Sequence, residues 1–167
     1  SKSKESKTKL PFGLYICNSV QEEVGLRGAE MIVKKINPNI AIVTDVCHDT
    51  TTPMIDKKQH GEFKCGKGPV ITYAPAVHGI IRELILSTAE AQKIDIQRDA
   101  ASRVTGTDTD AFAYNGGGVP SALISLPLKY MHTTVETVAK SDVEDVIKLI
   151  FETLKKISPK MKLKYLQ

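Results

Sequence analysis

Two adjacent glutamates, Glu22 and Glu23, stand between an apolar stretch and Val24-Gly25, with no lysine or arginine beside them. Asp45 closes a second apolar stretch, and His132 follows a third. Carboxylates and an imidazole form a hard-ligand set suited to a zinc-like or cobalt-like divalent ion. Neighbouring residues project differently, so one glutamate can hold a metal while the other faces the attacking water as general base. A Glu-Glu pair on a surface is ordinarily a solvated charge pair. Its position at the end of an apolar run makes this one a candidate.

Other polar residues read more plainly. His48 and Asp49 follow Asp45 closely, within reach of the same chemistry, but polar loop residues more often face solvent or support ligands than bind metal. His60 sits among Lys57, Lys58 and Glu62 and reads as exposed; His78 falls on the first turn of a predicted helix and reads as structural. Cys17, Cys47 and Cys65 are an odd set without CxxC spacing, so neither a disulfide framework nor a compact zinc knuckle is indicated, and buried reduced thiols are expected. Gly66-Lys-Gly68 and Gly116-Gly-Gly118 lack the surroundings of a phosphate loop and read as tight turns or as backbone that approaches a substrate. Asp110 reads as a helix-start acid.

For Glu22, Glu23, Asp45 and His132 to meet, strands must deliver them to one place. Phe12 to Val20 has the length and composition of a buried strand, and Ile40 to Val46 of another. Between them, Ala29, Ile32, Val33 and Ile36 fall at helical spacing, stopped by Asn37-Pro38. Strand, helix and strand in so few residues predict a βαβ unit with parallel strands. Cys47 to Gly68 reads as a long loop, and such loops in compact domains are often functional. Pro69 to Tyr73 is a short apolar run, Val77 to Lys93 a helix, Ile94 to Arg98 a half-exposed strand, Val104 to Gly118 turn-rich, and Pro120 to Leu126 a buried strand. Ser141-Asp-Val-Glu144 has the form of a capping box, opening a helix with Val143, Val146, Ile147, Ile150, Phe151, Leu154 and Ile157 on one stripe. Alternating strands and helices predict an α/β domain with a mostly parallel sheet, in which ligands collect beyond the carboxyl ends of the strands.

Composition agrees with one globular domain: 167 residues, 41% hydrophobic and 25% charged. No uncharged apolar run approaches the roughly 20 residues that span a bilayer, and Ser1 to Lys9 has no signal-peptide core, so a soluble, intracellular protein is expected, with no membrane partner. The net charge of +4 comes from lysines at the two ends. Aromatics are 5% and Trp is absent, which leaves few stacking platforms and argues against a nucleic-acid partner.

Five blocks, in order, carry a specific resemblance: Ser19-Val-Gln-Glu-Glu-Val-Gly-Leu-Arg-Gly-Ala29, Thr44-Asp-Val-Cys-His-Asp-Thr50, Gly66-Lys-Gly-Pro69, Gly106-Thr-Asp108 and Gly118 to Glu136. From Pro11 to Ile157 the chain resembles the dinuclear metallo-aminopeptidases of the glutamyl-aminopeptidase, or tetrahedral (deblocking) aminopeptidase, family. The resemblance implies a zinc-peptidase-like (phosphorylase/hydrolase-like) three-layer α/β sandwich, present only in part. It also implies a cytoplasmic enzyme that removes N-terminal residues from peptides and assembles as a homo-oligomer. Glu22 is then the general base, Glu23 and His132 ligands of one metal and Asp45 of the other, and Gly106, Thr107, Asp108, Lys129 and Tyr130 are substrate-pocket candidates. Two divalent ions, zinc, cobalt or manganese, serve the complete enzyme. Lys129 stands where the family usually has arginine, which keeps the charge and loses the bidentate fork. The family's dinuclear site also needs an early histidine and a bridging aspartate, and Ser1 to Gln21 contains neither His nor Asp. The expectation is therefore residues 1–10 as a polar lead-in and 11–167 as the C-terminal portion of a catalytic domain, without its inserted β-domain, able to bind one ion or none. The alternative is a non-catalytic α/β module or assembly fragment of the same fold.

Overall fold

A computed structural model describes residues 9–164, so most of the expected polar lead-in lies outside the described residues. The chain forms helix α1 (Arg27–Ile36), strand β1 (Ala41–His48), the single-turn α2 (Lys57–His60), β2 (Val70–Tyr73), α3 (Gly79–Gln92), β3 (Gln97–Ala100), α4 (Asp108–Tyr114), β4 (Ser121–Lys129), the short β5 (Thr137–Val138) and α5 (Lys140–Lys156).

The sheet order is β1-β4-β2-β3, with β5 on β4. The longest pairing, β1 with β4, is parallel from Ala41↔Ser121 to His48↔Leu128, and β2 with β3 is also parallel. The β2–β4 and β4–β5 pairings are short and antiparallel. Alternation along β1 and β4 separates two cores. On one face Ile42, Ala122 and Ile124 meet Ile81, Ile85 and Ala89 of α3 and Val146 and Leu149 of α5. On the other, Ala41 and Val119 meet Val33 of α1 and Phe112 of α4. The result is the expected α/β sandwich of three layers around a mostly parallel sheet.

Several sequence expectations are corrected. Phe12 to Val20 forms no strand: Gly13 to Ser19 runs without helix, turn or bend and joins no ladder, so the predicted βαβ unit lacks its first strand among the described residues. Val104 to Gly118 is not turn throughout. It contains α4, where Thr107 accepts from the Thr109 N–H at 3.2 Å and Asp110 accepts from the Thr105 and Gly106 N–H groups. The half-exposed strand falls at Gln97–Ala100, later than Ile94 to Arg98.

Helix α5 begins at Lys140, so Ser141 is not its cap. Asp142, in the first turn, instead points inward and accepts from the Gly66 N–H at 2.8 Å and the Gly68 N–H at 3.0 Å. That contact explains the Gly66-Lys-Gly68 turn. Gly68 has φ +85°, and a Cβ there would lie 1.9 Å from the Asp95 carbonyl oxygen, so only glycine fits. The inward ridge of α5 is Asp142, Val146, Leu149 and Thr153, and Ile147 of the predicted stripe is exposed. The cysteines are free, yet Cys17 is exposed and Cys47 and Cys65 only half-buried.

Candidate active site

Because β1 and β4 are parallel, Asp45 near the end of one and His132 just beyond the other reach the same edge of the sheet. Glu22 and Glu23 arrive there through a tight turn. Gln21 has φ +60° and Gly25 φ +110°, and the Leu26 N–H donates to the Glu22 carbonyl at 3.0 Å. Gly28, on the first turn of α1, donates to the Val20 carbonyl at 2.9 Å, and a Cβ at Gly28 would lie 2.4 Å from that oxygen. The helix therefore seats directly against the chain that leads into the glutamates.

The second approach is equally constrained. After β4, Tyr130 and His132 take positive φ values of 57° and 62°, and the Thr133 hydroxyl donates to the Tyr130 carbonyl at 2.6 Å. Glu136 accepts the His132 N–H at 2.6 Å. This turn sets His132 Nε2 at 2.9 Å from Glu23 Oε1, joining residues 109 apart in sequence. Both side chains are largely exposed.

Glu22, Glu23, Asp45 and His132 line a cavity of about 530 Å³, closed on other sides by His48, His60 and the segment from Asp99 to Thr107. Most of the charge there is negative, with Arg103 on the opposite wall. Burial pushes the Glu22 carboxyl above its ordinary value, and Asp45, Glu23 and Asp108 push it further while His132 opposes them. Burial likewise pushes Asp45 up, against the Val46 N–H that it accepts at 2.7 Å, with Asp108 and Glu23 adding to the rise. Among the described residues no lysine or arginine forms an ion pair with any of these acids. Uncompensated carboxylates beside an imidazole are the donor chemistry of a divalent-cation site. The set is short of ligands: no three His, Cys, Asp or Glu side chains among the described residues are grouped to hold an ion.

The other sequence candidates divide. Gly106 and Thr107 line the cavity. Asp108 stands behind it, buried, with Oδ2 taking a hydrogen bond from the Ser19 hydroxyl and Oδ1 without a hydrogen-bond partner. Lys129 and Tyr130 lie outside the lining residues. Asp49 faces inward as a loop anchor and accepts from Thr51 and Cys65. His78 caps the start of α3 and its Nε2 lies 2.7 Å from the Leu163 carbonyl oxygen, a structural role. His60 is exposed and meets His48 edge to face at 5.4 Å. The Asp99 to Thr105 wall, with Arg103, was not legible as part of a site, since its residues run from the end of β3 into a loop with no recognisable motif.

These features place the chain among α/β proteins whose site lies beyond the carboxyl ends of parallel strands. Its sequence matches the M42 glutamyl aminopeptidase family over residues 2–149, and the chain belongs to that family. A lysyl aminopeptidase of Pyrococcus furiosus is 36% identical over 146 residues, which are 87% of this chain and 41% of that protein. A glutamyl aminopeptidase of Lactococcus lactis is 32% identical over 75% of this chain and 34% of its own length. The structure superposes on a TET aminopeptidase from a marine-sediment Thaumarchaeota archaeon with a TM-score of 0.86 at 29% identity, covering 95% of this chain and 44% of that one. The Pyrococcus horikoshii TET1 peptidase, which assembles into a tetrahedron or a large octahedral shell, matches at a TM-score of 0.63 and 31% identity over 82% of this chain and 39% of its own. The chain thus spans between about a third and two fifths of the length of these curated relatives. No helix of the described residues is long and apolar enough to cross a membrane.

Proposed function

We propose that this chain carries part of the active site of a metal-dependent aminopeptidase that removes N-terminal residues from peptides. Glu22 is the general base, Glu23 and His132 hold one divalent ion, and Asp45 holds a second. The observation that supports this most is the approach of His132 to Glu23, 2.9 Å apart at the edge of the cavity that Glu22 and Asp45 also line. A zinc, cobalt or manganese ion, when bound, polarises the scissile carbonyl and lowers the pKa of water.

The protein's own residues supply the rest. Glu22 is the proton acceptor, and burial together with the neighbouring carboxylates raises its affinity for a proton, which suits a base. Asp45 is fixed by the Val46 N–H. Gly106 and Thr107 form a wall for the peptide, with Asp108 following them in sequence, and Lys129 and Tyr130 remain substrate-pocket candidates in the same reading. Residues 11–167 are read as the C-terminal portion of a catalytic domain, which the two-fifths coverage and the incomplete ligand set support. Assembly of identical subunits is carried over from the TET1 neighbour. A cytoplasmic location suits three free cysteines.

The test is made in an active protein that contains this segment. Glu22→Gln is expected to leave bound metal unchanged and lower kcat by ~10²-fold or more. His132→Ala is expected to lose metal first. Full turnover of metal-loaded Glu22→Gln, or two tightly held ions in His132→Ala, would refute the assignments.

A further inference from the structure

The long loop after β1 is tied back on itself at Thr50 and Phe63. The Thr50 N–H donates to the Phe63 carbonyl at 2.9 Å, and the Phe63 N–H donates to the Thr50 hydroxyl at 3.0 Å. Inside that closure the Asp56 side chain caps α2 by accepting the Lys58 N–H at 2.8 Å, and the Asp56 carbonyl accepts the His60 N–H at 3.0 Å. These anchors set His60, on α2, against His48, the last residue of β1, with ring centroids 5.4 Å apart and planes at 71°. Both residues line the cavity, on a side other than the acidic edge.

Two aromatic rings at this spacing pack edge to face in many protein cores. These two are not in a core, since His60 is exposed and His48 only half-buried. The spacing also meets a different requirement. With a zinc–nitrogen bond of about 2.0–2.1 Å and a ring nitrogen about 1.2 Å from the ring centre, two imidazoles on one ion at a tetrahedral angle have centroids about 5.3 Å apart. At the observed 5.4 Å, both rings can reach one ion by side-chain rotation, with the backbone where it stands. Ligation needs neutral imidazole. Burial lowers the proton affinity of His48, and His60 and then His132 lower it further. Glu22, Glu23, Asp45 and Asp99 line the same cavity against Arg103, a balance that draws cations in.

We propose that His48 and His60 form a two-imidazole site for a zinc-like transition-metal ion, separate from the ions assigned to Glu23, His132 and Asp45. Imidazole selects zinc, copper and nickel over magnesium and calcium, which prefer oxygen ligands. Among the described residues no third metal-binding side chain joins the pair, so water or a group of a bound peptide completes the shell. An ion held there links α2 to the end of β1 and stands in the cavity wall. The site is independent of the catalytic roles given to the acidic edge.

The test is a zinc titration of the chain, followed by long-range proton–nitrogen NMR of the imidazole rings. His48 and His60 are expected to respond together with one dissociation constant, and to keep it in His132→Ala, which removes the imidazole of the other assigned site. His60→Asn is expected to weaken the response of His48 at least about tenfold, and His48→Asn that of His60, while the amide signals of β1 and β4 stay in place. Magnesium is expected to move neither ring. Three results overturn the proposal: different dissociation constants at His48 and His60, a zinc response confined to His132, or a response of His48 that His60→Asn leaves unchanged.

Discussion

Replacing Asp49 by asparagine tests whether the long loop after β1 is held by a buried charge. Asp49 is 1% exposed. Its Oδ1 accepts from the Thr51 N–H at 2.7 Å and the Thr51 hydroxyl at 2.5 Å, and its Oδ2 from the Cys65 N–H at 2.9 Å. Burial alone would push the carboxyl up, but donation from Cys65 and Thr51 outweighs it and holds the group at about 2 against an ordinary 3.8. A folded value below the unfolded one stabilises the fold at pH above the unfolded value, and that stabilisation fades as pH falls from about 4 toward 2. At about 1.4 kcal/mol per unit, the difference corresponds to about 2 kcal/mol. The substituted amide would keep an acceptor for Thr51 but turn its N–H₂ toward the Cys65 N–H. Urea unfolding followed by circular dichroism, at neutral pH and again near pH 3 and 2, reads the effect. Asp49→Asn is expected to be about 2 kcal/mol less stable at neutral pH, with the gap to wild type closing toward pH 2. A gap that stays constant across this range would refute the argument.

Asp142→Ala leaves the Gly66 and Gly68 N–H groups without their acceptor and is expected to cost ~2–4 kcal/mol in urea unfolding, with Asp142→Asn losing less. Asp108→Asn removes one of the carboxylates that raise Glu22 and Asp45, so both are expected to titrate at lower pH, read from their side-chain carboxyl carbon shifts in NMR titrations.

The elements that the sequence announces most clearly are those whose partners lie within it. The apolar runs at Ile40 and Pro120 become the parallel pair β1 and β4, and the periodic stretch from Val77 becomes α3. Phe12 to Val20 has the same composition, but a ladder needs a neighbour, and none of the described residues provides one. Helix α4 was hidden because seven residues hold too few turns for a period to show; its signals are the cap at Thr107 and the loop-holding Asp110. In α5 the polar Asp142 and Thr153 take the inward ridge, which a search for apolar stripes passes over. The arrival of Asp45 and His132 at one edge follows from the direction of β1 and β4 and was legible, whereas Glu23 reaches His132 through a turn rather than from the expected strand. The encounter of His48 with His60 depends on the path of an aperiodic loop, which no local pattern encodes.

Synthesis runs from the amino end, and Glu23 and His132 are separated by 109 positions. At ~5–20 residues per second, the glutamate is made some ~5–20 s before its histidine exists. Strand β1 waits nearly as long for β4, its parallel neighbour. During that interval the acidic turn stands in the nascent chain without its histidine. Assembly of the site is therefore a late event in the life of the polypeptide, timed by translation of the turn that follows β4.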